Sequence, residues 1–270
     1  MDNMKKYILK CDLSGIQSFI FNVPGDGAAR ELKKRSGYVQ TVADDCLKQL
    51  RGFLGITDDD DLLYNGGGNF YLKAETERTE TELSDFIASL CEGYKLQDIF
   101  PYIAFVENNK GEVTKELLDA VNKKIQRAKL RRPLSYETFD AKQQPVPDRD
   151  TKDIKGINDQ VPRDENGQML DFDKIVKFSE GDEKLAALKL DVDNLGALFR
   201  DRKEDDYKKL SGELTEFFDG HLLELIKKNK MKQHVYTVFS GGDDCFLIGC
   251  WDRIFELAIV MRNEFRTFQK

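Results

Sequence analysis

The alternation of apolar and polar positions divides the chain into two stretches that follow one plan. Short apolar runs at 7–11 and 185–190 are typical of buried strands. Each is followed by apolar residues at i, i+3, i+4 and i+7, which predict amphipathic helices over 39–53 and 210–225. Two apolar runs that flank a glycine pair then predict a β-hairpin in each stretch, and a second amphipathic helix follows it.

The two stretches also share sequence motifs. Residues 9–16 read LKCDLSGI where 188–195 read LKLDVDNL, and 64–72 read YNGGGNFYL where 239–247 read FSGGDDCFL. Because the aspartate and the glycine pair are separated by nearly equal distances in both stretches, the matches indicate an internal duplication.

The order of elements predicts the fold class. The first copy closes with an apolar run at 99–107, which gives βαββαβ, whereas the second copy gives βαββα. We expect an α+β protein of two ferredoxin-like domains, each a mixed antiparallel sheet with helices on one face, the second lacking its last strand. The predicted domains are 1–107 and 185–270, joined by a polar connector, 108–184, with one helix over 114–130.

The composition excludes several classes of function. Charged residues make up 34% of the chain and no apolar run approaches the length of a membrane span, so no membrane partner is expected. Five cysteines without a CxxC pair argue against disulfides and a thiolate zinc site, and they favour a reducing, cytoplasmic setting. With a net charge of −7, nucleic acid would have to bind local patches or partner subunits.

Four carboxylates of the second copy are the main candidates for chemistry. Asp191 ends a strand, Asp193 follows it, and Asp243 and Asp244 lie at the hairpin tip. In a βαββ sheet the first strand lies beside that hairpin, so these side chains become neighbours. Clustered carboxylates repel unless a cation lies between them, and Mg²⁺ (or Mn²⁺) prefers such oxygen ligands and nucleotide phosphates. The alternative is a solvated turn, since aspartate favours turns.

The first copy has lost most of these carboxylates. Its turn reads Gly66-Gly67-Gly68-Asn69, and Ser14 stands where the second copy has Asp193, so Asp12 alone remains. The divergence predicts one catalytic site and a degenerate partner.

The motifs resemble the two palm domains of the large polymerase-like subunit of type III CRISPR effector complexes. The resemblance rests on DLSGIQSFIF, ELKKRSGY and LLYNGGGNF in the first copy and on LKLDVDNLGALF, LSGELTEFF and YTVFSGGDDCFLIGCWD in the second. It implies that the GGDD palm uses Mg²⁺ to join ATP into cyclic oligoadenylates, with both palms forming the ATP cleft. It also implies other subunits of the complex, guide RNA and an activating target RNA as partners.

The resemblance assigns residues to roles. Asp191, Asp243 and Asp244 would be catalytic and would bind metal, with Asp193 as an auxiliary ligand. The residues expected to bind nucleotide are Ser36, Gly67, Asn69, Asn194, Leu195, Gly196, Ser211, Gly241 and Gly242. The basic residues expected to contact guide RNA are Lys123, Lys124, Arg127, Lys129, Arg131 and Arg132.

The chain also departs from the family pattern. Its only histidines are His221 and His234, so no HD nuclease domain is expected, and the connector has no cysteine for a zinc segment. With no C-terminal helical domain expected either, the chain would be a fragment or a minimal form. Two other functions stay open: a non-catalytic palm scaffold, and a GGDEF-like synthase of cyclic dinucleotides.

Overall fold

The computed structural model describes residues 4–23, 25, 27–94, 99–130, 156–192, 204–242 and 244–268. The chain forms two compact units, each discontinuous in sequence. Unit 1 comprises 1–19, 38–147 and 196–211, and unit 2 comprises 20–37, 148–195 and 212–270. The domain boundaries after residues 107 and 184 stay a prediction.

The first half of the chain contains a four-stranded sheet. Its elements are β1 (Lys5–Ser14), α1 (Ile16–Phe21), α2 (Ala28–Leu54), β2 (Leu62–Gly66), β3 (Asn69–Thr76), α3 (Glu80–Glu92), β4 (Phe100–Glu107) and α4 (Lys115–Leu130). The strand order is β2-β3-β1-β4 with antiparallel neighbours, which confirms the ferredoxin-like prediction. Helix α2 begins well before the predicted residue 39, and its first part belongs to unit 2.

Both faces of this sheet are covered. On one face Cys11 of β1 lies beside Cys46 of α2 and near Cys91 of α3, and burial raises the pKa of the Cys11 thiol. Successive strand residues point to opposite faces, so Lys10 points to the other face, where its ammonium donates to Asn122 Oδ1 of α4 at 2.8 Å. Helix α4 therefore packs on a face that the predicted fold left open.

The second half of the chain contains a three-stranded sheet. Its elements are α5 (Phe172–Ile175), β5 (Leu185–Asp191), α6 (Glu204–Thr215), a π-helical segment (Glu216–His221), α7 (Leu222–Lys228), β6 (Val235–Gly241), β7 (Asp244–Cys250) and α8 (Trp251–Phe268). The strand order is β5-β7-β6, and the described residues add no fourth strand to this sheet. Along β5, exposed and half-buried residues alternate. No helix in the described part of the chain has the length and apolar character needed to cross a membrane.

The two sheets share their irregularities as well as their order. The pairing of β2 with β3 shifts between Leu62 and Tyr64, and the pairing of β6 with β7 shifts between Thr237 and Phe239. The skipped residue is Leu63 in β2 and Val238 in β6. Each lies three residues before the end of its strand, at Gly66 and Gly241 respectively. A β-bulge at matching places in both copies supports the internal duplication.

The outer edge of β6 is covered by part of the predicted connector. The Thr237 amide donates to the Gln160 carbonyl at 2.9 Å, and the Gln160 side-chain amide donates to the carbonyls of Lys232 and Val235. These bonds satisfy backbone groups that an open strand edge would expose. This stretch of the connector is therefore a folded part of unit 2.

A buried lysine also contacts β6. Lys33, in the part of α2 that belongs to unit 2, is 5% exposed and its ammonium donates to the Thr237 carbonyl at 2.9 Å. Burial lowers the pKa of Lys33 to about 7. The charged form is disfavoured in the folded protein because few groups replace its lost hydration.

This burial predicts a pH dependence of stability. Between pH 7 and about pH 8.5 the unfolded chain keeps the Lys33 proton and the folded chain loses it, so the free energy of unfolding should increase over this range. At higher pH the buried thiols of Cys11 and Cys245, whose pKa values are raised, oppose the increase. The Lys33 contribution over this range is about 2 kcal/mol. Urea denaturation at several pH values should show this increase in the unmodified chain and lose it in Lys33→Met. The exposed control Lys177→Met should keep the increase; a loss in both variants would contradict the assignment.

Candidate carboxylate site

The register of the second sheet places two predicted catalytic residues together. Asp191, the last residue of β5, is paired with Asp244, the first residue of β7. Directly opposed residues on antiparallel strands have Cβ atoms roughly 5 Å apart, and like charges there are destabilising. Asp191 is exposed and Asp244 is half-buried, so the pair lies at the surface end of the sheet.

The hairpin turn brings the glycine pair to the same end. Gly241 ends β6 opposite Asp244, and Gly242 is buried with a φ of 67°. This left-handed conformation favours glycine because a side chain there would be strained. The predicted residues Asp193, Asn194, Leu195, Gly196 and Asp243 lie outside the described residues.

Asn158 holds the strand that leads into the turn. Its side-chain amide donates to the Ser240 carbonyl at 2.7 Å, and its Oδ1 accepts from the Ser240 amide at 2.8 Å. The Ser240 hydroxyl donates to the Phe218 carbonyl, in the π-helical segment, at 2.6 Å. Three hydrogen bonds therefore fix the residue immediately before the glycine pair.

A second contact positions Asn158. The Ile157 amide donates to the Asp219 carboxylate at 3.0 Å, and Gly156, with a φ of 66°, lies so close to that carboxylate that a Cβ would collide with it. Sequence reasoning missed Asn158, which it assigned to a polar connector. Asn158 is 82 residues from Ser240, and no periodic pattern marks such a contact.

At the equivalent position in unit 1, a lysine of the same unit compensates the charge of the remaining carboxylate. Asp12 is paired with Asn69 in the same register that joins Asp191 to Asp244. The Asp12 carboxylate accepts from the Lys129 ammonium of α4 at 2.8 Å. One opposed carboxylate is thus replaced by an amide and the other has a lysine as its cation, which is consistent with a degenerate first site.

The donor atoms at the second site suit a hard divalent cation. Asp191 and Asp244 present carboxylate oxygens from opposed positions, and Mg²⁺ binds to one or two carboxylates with water and phosphate as its other ligands. Burial, together with the nearby Asp244 charge, raises the pKa of Cys245 to about 12. Since successive strand residues point to opposite faces, this buried thiol lies on the other face of β7 from Asp244. The described residues alone contain no cluster of three or more metal-binding side chains, and Asp193 and Asp243 lie outside them.

The other predicted binding residues occupy different elements. Ser36 is half-buried on α2, Ser211 is buried on α6, and Gly67 is exposed in the turn of the first hairpin. Their assignment to nucleotide binding, with that of Asn69, stays a prediction.

The basic helix α4 has two kinds of lysine. Lys124 donates to the Phe105 carbonyl at 2.9 Å and Lys129 binds Asp12, so both have partners within unit 1. Lys123 and Arg127 are exposed, and Arg131 and Arg132 lie outside the described residues. The guide-RNA contact stays a prediction for this helix.

The fold and the site define a protein of two palm-type domains, one of which has an opposed pair of carboxylates beside its hairpin. The family model for Csm1 subunit domain B matches residues 5–145, and that for the second palm domain of Cas10/Cmr2 matches residues 184–270. Since the first match covers more than half of the chain, the chain belongs to the Cas10/Csm1 family of type III CRISPR systems.

Two curated relatives are named single-strand-specific deoxyribonuclease Cas10/Csm1 of subtype III-A. The protein of Methanocaldococcus jannaschii is 37% identical over 118 residues, which is 37% of this chain and 15% of the relative. That of Enterococcus italicus is 25% identical, and its match covers 97% of this chain and 47% of the relative. The chain thus spans about half the length of these relatives, or less.

Solved structures support the same fold. A Csm1-Csm4 cassette in complex with pppApApA has a TM-score of 0.83 and 22% identity, covering 98% of this chain and 47% of that one. A Csm1-Csm4 cassette in complex with cA4 has a TM-score of 0.81 and 20% identity, with coverages of 98% and 48%. The prediction of two palm domains is confirmed.

The Asn158 contacts predict a local effect on the hairpin. Asn158→Ala removes both bonds to Ser240 and should lower the free energy of unfolding by about 1–3 kcal/mol. Hydrogen exchange over 235–242 should become faster, because the Ser240 amide loses its acceptor. Asn166→Ala, an exposed change in the same connector, is the control; equal exchange rates in the two variants would contradict the positioning role.

The Asp12–Lys129 pair predicts an energetic coupling across unit 1. Asp12→Asn and Lys129→Met should each destabilise the chain, because each leaves a partly buried charge without its partner. The decrease in the free energy of unfolding should be about 1 kcal/mol smaller in the double variant than the sum of the decreases in the two single variants. Thermal and urea unfolding measure the cycle. Lys123→Met replaces the exposed lysine as a control, and additivity of the Asp12 and Lys129 changes would refute the coupling.

Proposed function

We propose that unit 2 catalyses nucleotidyl transfer from ATP, forming 3′–5′ linked cyclic oligoadenylates, as part of a type III CRISPR effector complex. The observation that carries the proposal is the pairing of Asp191 with Asp244. Two opposed carboxylates are costly unless a cation compensates them, and a nucleoside triphosphate brings the phosphate oxygens that complete the shell of such a cation.

The residues have distinct tasks in this proposal. Asp191 and Asp244, with Asp193 and Asp243, would hold Mg²⁺ or Mn²⁺. When bound, the metal supplies charge compensation for an in-line attack of a 3′-hydroxyl on the α-phosphate, with pyrophosphate leaving. Gly241 and Gly242 keep the turn free of side chains, so a nucleotide can approach the backbone. Asn158 and Ser240 hold the hairpin that presents Asp244.

Unit 1 is proposed to bind nucleotide without catalysing transfer. Its opposed position has Asn69 instead of a carboxylate, and Asp12 already has the Lys129 ammonium as its counterion. Gly67 and Asn69 of unit 1 are proposed to contribute contacts to the nucleotide. Ser36 and Ser211, which occupy matching places in the two sequence copies, are proposed to do the same in each half-site. This division of labour gives one metal site for a duplicated fold.

The proposed partners follow from the family. Solved relatives are Csm1-Csm4 assemblies, and some of them contain ATP or cA4. We propose that this chain likewise assembles with other type III subunits and responds to target RNA paired with guide RNA. The exposed Lys123 and Arg127, with Arg131 and Arg132, are proposed to contact RNA phosphates.

The decisive experiment removes the hairpin charges. Asp243→Asn combined with Asp244→Asn keeps the side-chain shapes and removes the charge that holds the metal, so product formation should decrease at least about 100-fold. The chain is purified with its effector complex and supplied with target RNA, and the products from ATP and from GTP are identified by mass spectrometry. Retained synthesis in this variant would exclude the site.

Two controls separate the alternatives. Asp191→Asn should reduce synthesis far more than Asp12→Asn, with circular dichroism confirming that both variants fold; equal losses would mean that unit 1 is catalytic too. A cyclic dinucleotide made from GTP would favour the GGDEF-like alternative, and no product from a folded complex would favour the scaffold. Under the proposal the GGDD site does not cleave single-stranded DNA.

A further inference from the structure

Helix α8 exposes an apolar stripe on its outer face. Trp251, Phe255 and Ile259 follow one another at i, i+4 and i+8, and Phe255 and Ile259 are 63% and 64% exposed. The Trp251 and Phe255 rings are in edge contact. Large side chains at such exposure cost hydration free energy, and a contiguous group of them marks an interaction surface.

The internal duplication shows that the palm fold does not require this stripe. Helix α3 is the equivalent of α8, with Leu83 and Leu90 buried where α8 buries Ile254 and Met261. The α3 residues that match Trp251, Phe255 and Ile259 are Glu80, Ser84 and Ala88. These three are exposed even though the sheet of unit 1 has its fourth strand, β4. A fourth strand therefore leaves this helix face open in unit 1, so a missing fourth strand does not account for the exposed stripe of α8.

Charges of opposite sign lie at the two ends of the stripe. Beyond its C-terminal end, Arg262 and Arg266 continue the same helix face and are exposed. At its N-terminal end, the Trp251 indole donates to the Asp182 carbonyl and the Trp251 amide donates to the Lys184 carbonyl. The exposed acidic residues Asp182 and Glu183 therefore lie beside the first apolar residue. The Lys184 ammonium binds the Asp182 carboxylate at 2.6 Å, so Glu183 is the acidic group that this end presents to a partner.

Along α8 the surface is acidic at the N-terminal end, apolar in the middle and basic at the C-terminal end. Such a surface is complementary to a second copy of itself in the antiparallel direction. Rotation by 180° about an axis through Phe255 places Trp251 of one copy against Ile259 of the other. The same rotation brings each basic end toward the other copy's acidic end. A two-fold interface uses one patch twice in this way.

We propose that this stripe is the contact surface between two copies of the chain, with α8 packed antiparallel on α8. The helix has 18 residues, a length of about 27 Å. An interface formed by one pair of helices buries less area than a standard protein–protein interface. The dimer is therefore weak and forms reversibly at micromolar concentrations or above. The inference does not depend on catalysis.

Sedimentation velocity of the 270-residue chain from about 1 to about 100 µM tests the proposal. The chain should shift from monomer to dimer over this range. Phe255→Ser with Ile259→Ala gives α8 the residues that α3 has at these positions, and it should weaken association at least tenfold. Leu130→Ser, which removes an apolar side chain 88% exposed on α4, should leave association unchanged. Circular dichroism confirms that each variant folds.

A charge exchange tests the antiparallel arrangement. Arg262→Glu and Glu183→Lys should each weaken the dimer, and the variant with both changes should recover it, because the sign of the contact is inverted at both ends. Higher salt should weaken the unmodified dimer. A monomer throughout the concentration range, or a dimer that survives the Phe255 and Ile259 changes, would overturn the proposal. Failure of the charge exchange to restore association would overturn the arrangement.

Discussion

Two carboxylates that face each other on neighbouring antiparallel strands repel, and this repulsion is the constraint on which the two units depend. The register that pairs Asp191 with Asp244 also pairs Asp12 with Asn69. Unit 1 has relieved the repulsion by exchanging one carboxylate for an amide and binding the other to Lys129. Unit 2 has a carboxylate at both opposed positions, and under the proposed function a cation and its nucleotide bind there.

The two sheets also differ in whether a helix covers the face with the carboxylates. In unit 1, Lys10 and Asp12 point toward α4 and are bound by it. The equivalent residues of β5, Lys189 and Asp191, are exposed. Among the described residues, a helix covers this face of the first palm and none covers the equivalent face of the second. Under the proposed function the exposed face gives the substrate access to the carboxylates.

The support of the open site comes from residues distant in sequence. Asn158 and the π-helical segment hold Ser240 from two sides, so the turn with the glycine pair leaves a rigid strand. Lys33 and Gln160 contact Thr237, three residues before Ser240 on the same strand. Such preorganisation matters for phosphoryl transfer, because the carboxylates must stay aligned as charge develops.

The sequence by itself determined the duplication, both hairpins, the order of the elements along the chain and the proximity of the carboxylates. These features depend on local signals: apolar periodicity, glycine in tight turns, and motifs repeated at similar spacing. Only the tertiary structure decided that Lys129 binds Asp12, 117 residues away, and that Asn158 holds Ser240. It also decided that the first part of α2 belongs to unit 2. Contacts between distant residues depend on how the elements pack, and a lone lysine or asparagine in a polar stretch has the same local pattern whether it faces solvent or a buried carboxylate.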